Sequence, residues 1–169
     1  MENEQFSAIA ATGARTVRVI KPYADKEKIF DQIAFAEKVG ALGVGMDIDH
    51  IFGKGAYNVV AGENMAPQSL YDLRAYAKST TLPFVVKGVL SARYAFSAAE
   101  AGAKAVVVSH HHGRRPSAVP PLMVLPEIAR ELQGSGVQIV VDCGMDTGAD
   151  IFKALAFRAN ATSVGRALI

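Results

Sequence analysis

The chain has 169 residues, half of them apolar and a fifth charged, which is the composition of a soluble globular domain. Its formal charge of +2 is too small to favour nucleic acid or an anionic membrane surface, and no apolar run nears the ~20 residues of a membrane span. A single cysteine, Cys143, excludes an internal disulfide, and the polar opening Met1-Glu2-Asn3-Glu4-Gln5 is unlike a leader peptide, so a cytoplasmic protein is expected.

Residues 5 to 12 read as the end of a helix closed by Gly13, and residues 16 to 20 as a short strand stopped at Lys21-Pro22. Asp25 can cap a helix with Ile29, Ile33 and Ala36 on one face, ending at Gly40. Ala41 to Met46 has the apolar pattern of a buried strand and stops at Asp47. Residues 48 to 67 carry glycines and asparagines without periodicity and read as a loop excursion. Ser69 to Lys78 is expected to be a helix with Leu70, Leu73 and Tyr76 or Ala77 inward. Leu82 to Val86 and Ala105 to Val108 are too apolar for strands with one wet face, so they read as parallel strands covered on both sides and joined by a helix over 91 to 101. Pro120-Pro121 opens a helix expected to bury Met123, Leu125, Ile128 and Leu132. Gln138 to Val141 is a further strand, Thr147 caps a helix with Ile151, Phe152 and Leu155 inward, and Ala161 to Val164 is the last strand. Six strands alternating with helices, with no change of composition and no linker, predict one α/β domain over residues 1–169, its parallel sheet curling toward a barrel wall.

In such folds the carboxyl ends of the strands carry the chemistry. There the sequence sets Lys87 after one strand and Ser109-His110-His111-His112-Gly113-Arg114-Arg115 after the next. Lysine at a strand end serves as a fixed cation beside developing negative charge, or merely lays its stem across the mouth. Three consecutive histidines cannot share one direction, and no cysteine or carboxylate stands near them at a familiar ligand spacing, so a general base is a better use than a metal site, and no metal is expected. A polar loop capping the strand is the plainer alternative. Arginine supplies a planar fork for a carboxylate or phosphate. The Asp142-to-Gly148 turn and Gly165-Arg166 supply glycines, a helix start and a cation suited to an anion, although Asp146 brings the opposite charge. Cys143 reads as a small filler at its strand end, not a nucleophile.

Taken together, Val86-Lys87-Gly88, Ser109 to Arg114, Asp142 to Asp150, Phe152-Lys153-Ala154-Leu155-Ala156 and Gly165-Arg166 resemble the FMN-dependent α-hydroxy acid oxidase and dehydrogenase family, in order and spacing, from residue 82 to the end. The resemblance implies FMN as cofactor, a (β/α) TIM-type barrel, and oxidation of a small 2-hydroxy acid to a 2-oxo acid. Carried across, His111 would be the base, Lys87 would sit at the flavin N1/O2 edge, and Arg114 would hold the substrate carboxylate. Ser109 would lie near the cofactor, with Asp142, Cys143, Gly144, Met145, Asp146, Gly165 and Arg166 around the ribityl chain and phosphate. The family's tetramers imply an expectation of self-association. Departures are specific. The family's turn arginine falls on Asp146, its strand-end tyrosine on Ile20, the tyrosine's glutamine partner on Arg18, and a threonine on Gly45. Only the last six of eight strands are recognisable, so the chain is expected to be a fragment of a longer enzyme or to be completed by another subunit. Alternatives are another FMN barrel, such as a type 2 isopentenyl-diphosphate isomerase, or a flavin- or phosphate-binding barrel without catalysis.

Overall fold

Parallel strands require crossovers, and here every crossover within the main sheet contains a helix. The computed structural model describes residues 3–49, 59–60, 62–111 and 117–165. In chain order its elements are α1 (Asn3–Ala11), β1 (Val17–Ile20), α2 (Lys26–Lys38), β2 (Gly43–Asp47), β3 (Val59–Val60), β4 (Glu63–Asn64), α3 (Leu70–Lys78), β5 (Phe84–Val89), α4 (Ala92–Glu100), β6 (Ala105–Val108), α5 (Pro121–Glu131), β7 (Gln138–Val141), α6 (Gly148–Ala156) and β8 (Ala161–Thr162). The main sheet runs β1-β2-β5-β6-β7-β8 with every neighbouring pair parallel. The fold is therefore α/β, six strands of a barrel that does not close among the described residues, with β1 and β8 at its edges. Part of the expected loop excursion forms the antiparallel pair β3-β4; residues 50–58 and 61 lie outside the described residues. No helix among the described residues is long and apolar enough to cross a membrane.

Side chains alternate across a strand, so the register sorts the sheet into two faces. Ile20, Val44, Met46, Phe84, Val86, Val106, Val108, Ile139 and Val141 form one face, all buried in a core shared with Ile29 and Ile33 of α2, Tyr76 of α3, Ala95 of α4 and Ile128 of α5. Each such large side chain contributes on the order of 1.5–3 kcal/mol, which makes this face the stability of the domain. The other face carries Val17, Val19, Val85, Ala105, Gln138 and Val140 and is less covered, with Val17 44% and Val19 40% exposed at the edge strand. By the same two-residue period Lys21, Asp47, Lys87, Ser109 and Asp142 belong to this second face, at the carboxyl ends. Gly45 is there because a Cβ would lie 2.4 Å from the Val85 carbonyl oxygen.

The expected caps are present: the Asp25 carboxylate accepts from the Glu27 and Lys28 N–H groups, and Ser69 and Thr147 each form a capping box. Several inward assignments were out of phase. Met123 is 72% exposed because it stands two residues, more than half a turn, from Leu125; the inner stripe is Leu122, Leu125, Ile128 and Leu132. In α6 the buried residue is Ala154, leaving Phe152 and Leu155 exposed beside the edge strand β8. Leu70 is exposed too, because the stripe of α3 begins at Leu73 and its first turn extends past it.

Candidate active site

The ends of five neighbouring strands, β1, β2, β5, β6 and β7, meet in one interlocked set of charges. At the end of β2, Asp47 is 2% exposed and accepts from Lys21 Nζ through Oδ2 at 2.6 Å. Lys87, near the carboxyl end of β5, places Nζ 3.2 Å from Asp142 Oδ2, 3.7 Å from Asp47 Oδ1 and 3.1 Å from Ser109 Oγ, to which it donates. Ser109, fully buried after β6, also accepts the His111 backbone N–H at 3.1 Å. That contact holds His111 in the left-handed region, at φ 54°, where few L-residues sit. The imidazole is thereby turned toward β2: its Nδ1 meets hydrogen-bond geometry with Asp49 Oδ1 at 3.1 Å and lies 3.2 Å from Asp47 Oδ1.

The pKa values follow from this arrangement. Burial alone would raise Asp47, but the His111 contact and the charges of Lys21 and Lys87 outweigh it and hold the carboxyl far below its usual range. Burial likewise works against the Lys87 ammonium, yet Asp47 and Asp142 win and its pKa is raised. His111 is raised by its contacts with Asp47 and then Asp49, against burial and the Lys87 charge. The site therefore holds ionised groups that stay ionised because they face one another. It can receive a proton at an imidazole whose positive charge is already matched, and it keeps a fixed ammonium alongside.

The sequence-predicted residues divide into three groups. Lys87, Ser109, His111 and Asp142 are brought together, with Cys143 Sγ 3.5 Å from Ser109 Oγ and donating to Asp142 Oδ1 at 2.9 Å. Cys143 and Gly144 take consecutive positive φ values, 67° and 85°, and this curl delivers Asp142 to Lys87 while sending the Met145 side chain into the core at 4% exposure. Gly144, Asp146 and Gly165 lie on the surface beyond that curl. Arg114 and Arg166 lie outside the described residues.

Asp47, Asp49 and Lys21 were missed as site residues. A lone acid or base at a strand end reads as a cap, and the one available signal was shared parity with Lys87 across neighbouring strands. One donor atom from each of Asp47, Asp49 and His111 lies within 4.8 Å of the others, a grouping that sequence spacing hid. Lys21 and Lys87 already occupy the Asp47 carboxylate, so a cation entering there would have to displace an ammonium.

For a flavin phosphate the fit is uneven. A Cβ at Gly144, Gly148 or Gly165 would meet nothing within 4 Å, so the backbone there is open to a ligand. The start of α6 is less free than a helix N-terminus usually is. Its capping box commits the Thr147 and Asp150 N–H groups to Asp150 and Thr147 side chains, and Asp150 adds negative charge. Away from that turn, Lys87 holds a fixed positive charge at its strand end, paired with Asp47 and Asp142.

A sequence profile described as FMN-dependent dehydrogenase matches residues 53–169. An L-lactate oxidase from Lactobacillus jensenii is 36% identical over 133 residues, 78% of this chain and 30% of that protein. A glycolate oxidase from Spinacia oleracea is 32% identical over 170 residues, 99% of this chain and 46% of that protein. A solved mandelate oxidase carrying a monooxide FMN adduct superposes with a TM-score of 0.85 at 35% identity, covering 95% of this chain and 51% of the oxidase. The chain thus spans about half, or less, of the length of the relatives it matches. With the profile covering more than half of its residues, the chain belongs to the FMN-dependent dehydrogenase family.

Proposed function

We propose that this chain supplies the catalytic rim of an FMN-dependent oxidoreductase that converts a small 2-hydroxy acid to its 2-oxo acid, working in the cytoplasm. The observation that carries the reading is the convergence of His111, Lys87 and the Asp47 carboxylate at adjacent strand ends. Bound FMN would supply the two-electron acceptor. His111 would take the proton of the substrate hydroxyl, and the imidazolium so formed would be balanced by carboxylates already in place. Lys87, kept charged by Asp47 and Asp142, would hold a positive charge beside the ring that gains electrons. Ser109 is too buried to act directly and instead positions Lys87 and the His111 backbone. Arg114 would clamp the substrate carboxylate, and Asp142 to Asp146 with Gly165 and Arg166 would flank the cofactor's tail.

The test is flavin uptake by the purified chain followed by anaerobic addition of lactate, glycolate and mandelate. Bleaching of the visible flavin bands by one of them is expected. A second reading, a flavin or phosphate binder without turnover, is favoured by Asp146 in the turn; Ile20, expected at the substrate side, instead points into the helix-covered core, on the face opposite Lys21 and Asp47, and bears on neither reading. Bound flavin that no hydroxy acid bleaches would establish the second reading. Failure to take up flavin would overturn both for the isolated chain and direct the reading to a longer polypeptide or a partner subunit. Self-association, expected from the family, is read in the same preparation by light scattering.

A further inference from the structure

We propose that Asp49 is a second positioning carboxylate for His111, fixing its proton on Nδ1 and so committing Nε2 to proton exchange with the substrate. The proposal deepens the reading of His111 as the base and rests on it. Asp47 alone would suffice to pair the ring, so the case for Asp49 needs observations of its own.

The first is the direction of the bond. Nδ1 satisfies hydrogen-bond geometry with Asp49 Oδ1 at 3.1 Å, while Asp47 Oδ1, at 3.2 Å, faces the same nitrogen and is also 3.7 Å from Lys87 Nζ. The second is burial: the Asp49 side chain has 0% exposure, and its Oδ2 makes no hydrogen bond among the described residues. A carboxylate so enclosed is costly unless a charge faces it; among the described residues the imidazole touches it, and the Lys87 ammonium acts on it through space. The third is a space made for it. Gly88 interrupts the β5-β6 register at φ 99°, and a Cβ there would stand 2.5 Å from Asp49 Cγ and 2.6 Å from Oδ1. The glycine bulge and the carboxylate therefore occupy one site, and neither fits with a larger neighbour.

The fourth is the balance of charge. Among the described residues, the charged groups around the ring are Asp47 and Asp49 from β2 and the turn after it, Lys87 from β5, Lys21 from β1 through Asp47, and Asp142 from β7 through Lys87. Ser109, after β6, contacts the backbone of His111 and adds no charge. Among the described residues three carboxylates face two ammonium groups, and an imidazolium is met by that excess of negative charge. When the substrate O–H bond breaks and an Nε2–H bond forms, the new charge on the ring is met without rearrangement. The same pair of acids keeps the ring protonated to higher pH before substrate arrives, in agreement with the raised His111 pKa.

The experiment is nitrogen-15 NMR of the histidine rings in the full chain without added flavin, across a pH series, with His111→Gln assigning the resonance. In the wild type the neutral ring is expected as the Nδ1–H tautomer, titrating above the ordinary ~6.5. Asp49→Asn is expected to lower that midpoint by about one pH unit with the fold intact by circular dichroism. Gly88→Ala, whose methyl would expel the carboxylate without deleting it, is expected to shift it in the same direction. An unchanged midpoint and tautomer in folded Asp49→Asn, or an Nε2–H tautomer in the wild type, overturns the proposal. Should Asp49→Asn not fold, the wild-type tautomer and Gly88→Ala decide. None of these readouts uses flavin, so a chain that takes up no FMN would defeat the oxidoreductase reading and leave this result standing.

Discussion

The mouth formed by β2, β5 and β6 and the turn after β7 lie at the same end of the sheet but are built on opposite plans. Among the described residues the charges of the mouth answer one another: Asp47 is met by Lys21 and Lys87, Lys87 by Asp142, His111 by Asp47 and Asp49. In the turn, Asp146 and Thr147 face solvent, and the helix behind it is closed by its own side chains. The proposed acid–base centre is thus preorganised among the described residues, whereas the proposed anion cradle leans on open backbone.

The largest effect is expected from Asp47→Asn. Removing one member of an enclosed set leaves Lys21 and Lys87 facing an uncharged amide at 2% exposure, and breaking a buried pair in this way costs about 3 kcal/mol or more. Urea unfolding at neutral pH measures it; a loss under about 1 kcal/mol would mean that the mouth is no more interlocked than the turn.

Next in size is the pH dependence of the mouth. The His111 pKa is raised in the folded chain by Asp47 and Asp49, so its proton adds stability fully present below the unfolded value of about 6.5, and lost as pH rises through the raised folded value. Asp47 is shifted the other way, and its contribution is lost as pH falls below the ordinary carboxylate range. The stability gap between wild type and His111→Gln is therefore expected to be widest near about pH 5.5 and to narrow toward about pH 9. A gap that widens with pH would reverse the assigned sign.

These two regions also differ in how far the sequence revealed them. The strands were legible because burial on one face and near-burial on the other produces unbroken apolar runs such as Phe84 to Val86 and Val106 to Val108. Lys87, Ser109 and His111 were legible as a strand-end motif. Asp49 was not, because its contact with His111 spans 62 residues of chain and exists only once β2, β5 and β6 lie in register. Helix phase failed at Met123 and Phe152 for a related reason: an apolar residue marks the inner stripe only where another layer covers it, and α6 stands over the last strand of an open sheet.

On the turn side the effects shrink. Thr147→Ala removes half of a capping box on an exposed helix end, for a loss of about 1 kcal/mol by urea unfolding, without change in the His111 titration.

The smallest expected effect belongs to Asp146→Asn, and it separates the two plans most directly. Asp146 is exposed beside Gly144, whose backbone is open, so its charge repels a phosphate through solvent that screens most of the interaction. Removing it is expected to tighten FMN binding only a few-fold, read by flavin fluorescence quenching at low salt, with the gain fading as salt is added. Because Asp146 forms no part of the mouth, the His111 titration and the unfolding free energy should not move with it. A tightening that persists at high salt would place the carboxylate in a dry contact with the phosphate, and the turn would then be as closely built as the mouth.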